Sequence, residues 1–219
     1  MLTAASPPRH FPSLRSLARG FFLYGVLPVV ALIGCFYAYL VETTNFHPVI
    51  AGELYRSSQP SASTIALLQK KYGIKTIINL RGDNSGHRWY DAEIAQAKVL
   101  DINHIDFRMS SRHELTQAQA AQLVQLMRDA PKPLLIHCQG GSDRSGLASV
   151  IYMNRIAGQS EDRAELQLSP LFGHFGIPYL SGTYEMDKTW ENVEVAYGIE
   201  GSNIASLQDT PRNSQKIVH

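Results

Sequence analysis

One ten-residue stretch constrains this chain more than any other: His137-Cys138-Gln139-Gly140-Gly141-Ser142-Asp143-Arg144-Ser145-Gly146. An apolar run from Pro133 to Ile136 precedes it, and an apolar-rich segment from Leu147 to Ile156 follows. That order predicts a buried strand, a glycine-bearing turn and a helix. Such a junction is a ready phosphate site, because unpaired backbone N–H groups converge there with the positive end of the helix dipole. Gly140 and Gly141 let the N–H groups of residues 139 to 144 turn inward. A cysteine opens the loop and an arginine closes it, with five residues between them. The planar fork of Arg144 fits two phosphoryl oxygens and strengthens as charge builds on them. Dipole, amides and arginine together favour the thiolate of Cys138, the nucleophilic form. In-line attack on phosphorus would give a phosphocysteine that water then cleaves. Ser145 is placed to donate its hydroxyl to the sulfur as it departs, and His137 to orient the loop by hydrogen bonds.

The rest of the chain reads as what holds this loop. Leu54 to Ser57 is expected as a first strand or hairpin. Pro60 and Ser61 open a helix with Ile65, Leu68 and Tyr72 on one face and Gly73 at its end. Lys75 to Arg81 is β-branched and strand-like, and the Gly82-Asp83-Asn84 turn follows it. A helix is expected from Trp89 to Leu100, then alternation from Ile102 to Met109 that marks a strand. Thr116 caps a helix whose stripe is Ala120, Leu123, Val124 and Met127, stopped by Pro131. After the loop, Glu161 to Leu168 and Met186 to Ala196 are helical, and from Gly198 onward a polar, disordered tail is expected. Strands alternating with helices predict an α/β fold with a largely parallel central sheet, the loop at a strand's carboxyl end.

The N-terminal quarter is different in kind. Residues 1–20 carry Arg9, Arg15 and Arg19 and no acid, whereas Phe21 to Val41 is 21 residues without a charge. At ~1.5 Å per residue that run spans a hydrocarbon core of ~30 Å. The arginines before it and Glu42 after it predict a cytoplasmic segment 1–20, a transmembrane helix 21–41 and a catalytic domain outside, periplasmic if the source is Gram-negative. A linker 42–48, a domain 49–197 and the tail 198–219 complete the expected layout. A lipoprotein signal at Leu32-Ile33-Gly34-Cys35 and a cleaved signal peptide remain alternatives. A net charge of +1, without a basic patch, speaks against a nucleic-acid partner. Cys35 and Cys138 lie in unlike surroundings, and no Cys/His spacing suits a metal. Neither metal nor cofactor is expected.

His-Cys-x-x-Gly-x-x-Arg-Ser-Gly resembles the signature of the cysteine-based protein tyrosine phosphatase superfamily, and every position matches. The flanking Leu54-Tyr55-Arg56-Ser57, Ile78-Asn79-Leu80-Arg81-Gly82 and Pro133-Leu134-Leu135-Ile136 are similar to its compact bacterial dual-specificity-like branch. The likeness covers about residues 49 to 196. It implies a tyrosine-phosphatase-like sheet flanked by helices, with Cys138, Arg144 and Ser145 catalytic. Gln139, Gly140, Gly141, Ser142, Asp143 and Arg144 would bind substrate. It also implies a general acid, an aspartate on the loop after the strand that precedes the signature strand. Here that loop, Ser110 to Leu115, has no Asp. Glu114 is the first choice, Asp106 the second and His113 the third. The expected substrate is a phosphotyrosine or phosphoserine/threonine protein, with a phospholipid or inositol phosphate as the alternative. Inositide-cleaving relatives place lysines within the loop, and Asp143 is expected to repel a heavily phosphorylated ring. A rhodanese-like sulfurtransferase and a non-catalytic phosphate-binding module are the remaining alternatives.

Overall fold

The structure, a computed structural model, describes residues 14–198, which form two compact units, the first ending at Glu42 and the second beginning at Thr43. Arg9, most of the expected cytoplasmic segment and nearly all of the expected tail lie outside the described residues. In the first unit, α1 (Leu14–Phe21) runs through a π-helical turn, Phe22–Val26, into α2 (Leu27–Glu42). Pro28 has no N–H to give back to the preceding turn, which accounts for the widened geometry just before it. Ala18–Glu42 forms a helix of 25 residues, long and apolar enough to cross a membrane. At ~1.5 Å per residue it exceeds the ~30 Å core by about a turn.

The second unit is built on five strands: β1 (His47–Ile50), β2 (Leu54–Ser57), β3 (Thr76–Asn79), β4 (Asn103–Asp106) and β5 (Leu134–His137). Their order across the sheet is β1-β2-β5-β3-β4, with β1 antiparallel to β2 and the other pairs parallel. β5 is therefore central, and its last residue, His137, lies level with Ser57 on one side and Asn79 on the other. β1 begins inside the segment expected as linker, because pairing with β2 satisfies backbone groups that a linker would leave to water. The strand expected over Ile102 to Met109 is shorter. Beyond Asp106, the N–H groups of Phe107 and Met109 still donate to the carbonyls of Asn79 and Leu80.

Leu134, Leu135 and Ile136 are fully buried, as a strand covered on both faces must be. Their alternation divides the core. Leu134 and Ile136 join α5 (Gln117–Asp129), α6 (Asp143–Arg155) and α8 (Glu185–Tyr197), whereas Leu135 meets Tyr55, Ile65 and Ala97 beneath α3 (Ala62–Tyr72) and α4 (Arg88–Val99). A short α7 (Glu161–Glu165) packs on α6. The helix ends follow their sequence signals. Ser61 accepts from Thr64 N, Gly73 ends α3 at φ +68°, and Thr116 forms a reciprocal capping box with Gln119. At α6 the side chain of Ser142 makes no cap bond, so the first amides of the most buried helix stay available.

Candidate active site

Cys138 is the first residue past β5 and is only 2% exposed. The N–H of Gly141 donates to its sulfur at 3.2 Å, so the loop folds back over the thiol. Only glycine suits position 141. Its φ is +74°, and a Cβ there would lie 2.6 Å from the Ser58 amide nitrogen. Arg144, in the first turn of α6, directs Nη1 toward the carbonyls of Leu80 at 3.5 Å and Met109 at 3.4 Å. Its Nε is buried without an acceptor among the described residues. Ser145 is fully buried, and its hydroxyl is donated to the Ser57 carbonyl at 3.5 Å rather than to the sulfur. The structure thus brings together Cys138, Arg144, Ser145 and the 139–143 backbone.

Two buried charges support this loop. Arg56, on β2, is fully buried; its Nη2 holds the carbonyls of Gly141 at 2.7 Å and Ser142 at 2.8 Å. Its Nη1 holds the backbone and side-chain oxygens of Gln167, and its guanidinium lies 4.7 Å from the centre of the Phe172 ring. Burial pulls the Arg56 guanidinium down to about 10, with Cys138 and Asp143 acting in the opposite sense. Below the loop, Glu93 of α4 is 1% exposed. It accepts from His137 Nε2 at 2.9 Å, His104 Nε2 at 2.7 Å and Gln59 Nε2 at 2.5 Å. Burial pushes the Glu93 carboxyl up, but the bonds from the two histidines prevail and hold it at about 2. A carboxylate can only accept, so both Nε2 atoms carry hydrogen, which fixes the orientation of the His137 ring. Sequence reading missed both charges. Their signals were a lone arginine inside a buried strand, and a glutamate spaced three and four residues from buried Tyr90 and Ala97 on α4.

The acid candidates are each held elsewhere. Glu114 is ion-paired with Lys188 Nζ at 3.0 Å and accepts from Asn192 Nδ2 at 2.7 Å, both on α8. Glu114 and Glu185 hold the Lys188 ammonium up at about 12. Asp106 closes β4 and accepts from Asn79 Nδ2 at 2.8 Å and from the Tyr90 hydroxyl at 2.5 Å. The Nδ1 of His113 meets Ser110 Oγ at 3.0 Å. Asp143 has a partner that its spacing did not announce: its Oδ1 accepts from His174 Nδ1 at 2.8 Å, and His174 Nε2 reaches Asp187 at 3.0 Å. Burial works against charge on His174, but the hydrogen bonds to the two aspartates prevail and raise it to about 9. A cation therefore faces Asp143 at neutral pH, which offsets the repulsion expected from that position.

Comparison with known proteins agrees with the geometry. The family described as "DSP-PTPase phosphatase fused to NAD+ Kinase" matches residues 43–171. The dual specificity protein phosphatase TpbA of Pseudomonas aeruginosa is 29% identical over 126 residues, covering 56% of this chain and 52% of that protein. The chain therefore spans about half the length of the curated relative. The crystal structure of P. aeruginosa TpbA in complex with phosphotyrosine superposes with a TM-score of 0.51 at 18% identity, over 72% of this chain and 93% of that one. PTPMT1 superposes at 0.52 and 13% identity, over 71% and 99%. At these identities the likeness to the two structures is one of fold.

Proposed function

The chain belongs to the family described as DSP-PTPase phosphatase fused to NAD+ kinase, and from that membership we propose that it hydrolyses phosphomonoesters through a phosphocysteine on Cys138. One observation carries the reading: a buried cysteine held under a glycine amide at 3.2 Å, in a loop closed by an arginine whose Nε is buried without an acceptor among the described residues. An anion seated in the loop would meet inward amides, the positive end of α6 and the Arg144 fork. Attack by the Cys138 thiolate forms the S–P bond as the ester O–P bond breaks, and the leaving oxygen takes a proton. Water then attacks the phosphocysteine, and the thiolate leaves. In that step Ser145 would turn its hydroxyl from the Ser57 carbonyl toward the departing sulfur.

Protonation of the leaving oxygen falls to the end of β4 or the loop after it. Glu114 remains the first assignment and Asp106 the second. Both start from local partners, so leaving groups that need little help, such as aryl oxygens, should turn over faster than alkyl ones. The experiment is hydrolysis of an aryl phosphate by the full chain in detergent, with Cys138→Ser as control and acid quenching to trap labelled phosphocysteine. Turnover that survives Cys138→Ser would sink the proposal. Phosphate binding without turnover would instead favour a binding module, and a persulfide on Cys138 a sulfurtransferase.

The substrate class proposed is phosphotyrosine or phosphoserine/threonine protein, supported by the dual specificity of TpbA. A lipid or inositol phosphate is the second reading, favoured by the pairing of Asp143 with His174. We further propose that Ala18–Glu42 anchors the enzyme, with the N-terminus cytoplasmic and the catalytic unit outside; its length of 25 residues and its apolar composition support this. A reporter fused after the catalytic unit, active only on the far side of the membrane, checks the orientation.

A further inference from the structure

Arg81 leaves β3 two residues after its last paired position, beside the cysteine loop. The N–H of Leu80 donates to the His137 carbonyl at 2.9 Å, and the Leu80 carbonyl faces Arg144 Nη1 at 3.5 Å. The guanidinium of Arg81 lies 3.8 Å from the centre of the Trp89 ring, and its Nη1 donates to Gln59 Oε1 at 3.0 Å. Gln59 in turn gives its own backbone N–H to the Gln139 carbonyl at 3.2 Å. Gln59 thus links the head of Arg81 to the backbone of the first variable position of the loop.

Five N–H groups project from a guanidinium. Among the described residues only Gln59 accepts from this one, and no carboxylate pairs with it. Burial and the like charge of Arg144 push its ionisation down, with Cys138 and Glu93 pulling it back. An arginine held near another arginine is unfavourable by itself, and an anion placed against it offsets that cost. The scissile phosphoryl group does not need this donor, because the loop amides and the Arg144 fork supply its three free oxygens. Stacked on Trp89 and bonded to Gln59, Arg81 is also restrained from descending to the loop floor.

We propose that Arg81 forms a second anion subsite, so that, within the second substrate class above, a phosphomonoester bearing a second phosphate on the same small scaffold is preferred over one without it. This rests on the phosphatase reading. Arg81 determines specificity, and Trp89 and Gln59 position it.

Direct binding separates the two claims. In the full chain carrying Cys138→Ser, in detergent, calorimetry would compare orthophosphate with pyrophosphate. Pyrophosphate is expected to bind about tenfold or more tightly, as one charge-assisted fork would give. Adding Arg81→Met should bring that ratio close to one. A ratio left unchanged, whether both affinities fall together or neither does, would overturn the subsite. If the methionine variant does not fold, Arg81→Lys gives the same readout; it keeps the charge but not the fork, so the ratio should be intermediate. The phosphatase reading fails separately, by absent orthophosphate binding together with no aryl phosphate turnover in the unmutated chain. For the source, kcat/KM would be compared for a sugar bisphosphate and its monophosphate, free and on a diacylglycerol anchor. Preference for the bisphosphate in either form supports the subsite and names its source; preference in neither overturns it.

Discussion

Single side chains decide whether the loop holds its shape. Glu93 takes three hydrogen bonds where no water reaches, so Glu93→Gln replaces an acceptor by an amide that must set a donor against Gln59 or a histidine. Leaving one such group unpaired costs about 1–3 kcal/mol. The expected result is a lower melting temperature together with a fall in kcat on an aryl phosphate, since His137 loses its anchor. A melting loss with kcat intact would show that the carboxylate stabilises the fold without positioning the loop. Arg56→Met should be more severe, because the Gly141 and Ser142 carbonyls then lose their only side-chain donor among the described residues. These residues also mark the limit of sequence reading at this scale. Cys138 and Arg144 could be proposed from the sequence because the chemistry assigned to them depends on spacing along one loop. Arg56, Glu93 and His174 act across 11 to 111 positions of sequence, and nothing local records such a pairing.

At the scale of elements, the cysteine loop works only if its turn closes against β2. Gly141→Ala puts a methyl group 2.6 Å from the Ser58 nitrogen at a φ of +74°, so either the loop or the end of β2 must move. A displacement of about 1 Å at reacting groups can cost roughly a hundredfold in rate. That loss of kcat is the expected outcome, with Thr116→Ala as a contrast. The latter breaks the capping box of α5, before β5 in the chain, and should cost about 1 kcal/mol in a melt with a far smaller loss of turnover. The loop after β4 is the element least legible in the sequence. Alternation from Ile102 to Met109 suggested a longer strand, but β4 is an edge strand and its ladder ends at Asp106, where Asn79 and Tyr90 take the side chain. Whichever carboxylate serves as acid, its neutral replacement should slow an alkyl phosphate far more than an aryl one. Glu114→Gln and Asp106→Asn, compared on that pair, identify it.

For the whole catalytic unit, His174 ties three parts of the chain. It lies in the segment after α7 and bridges Asp143 at the start of α6 to Asp187 on α8. Its ionisation is raised from 6.5 to about 9, so the folded state binds a proton that the unfolded chain releases near 6.5. The stabilisation is fully present below 6.5 and is lost as pH rises through 9. Each unit between those values is worth about 1.4 kcal/mol. Glu93 has the opposite sign: its contribution is present above 4.5 and is lost only as pH falls toward 2, outside this window. Melting temperature should therefore decline from pH 6.5 to pH 9, by roughly 2–4 °C for each kcal/mol lost in a domain of this size. Releasing that proton also leaves Asp143 facing the phosphate site without its cation. Binding of orthophosphate to the Cys138→Ser chain should then weaken over the same interval. His174→Asn, which keeps a donor but cannot charge, should flatten both profiles together. A melting slope that persists in that variant would place the pH dependence elsewhere in the fold.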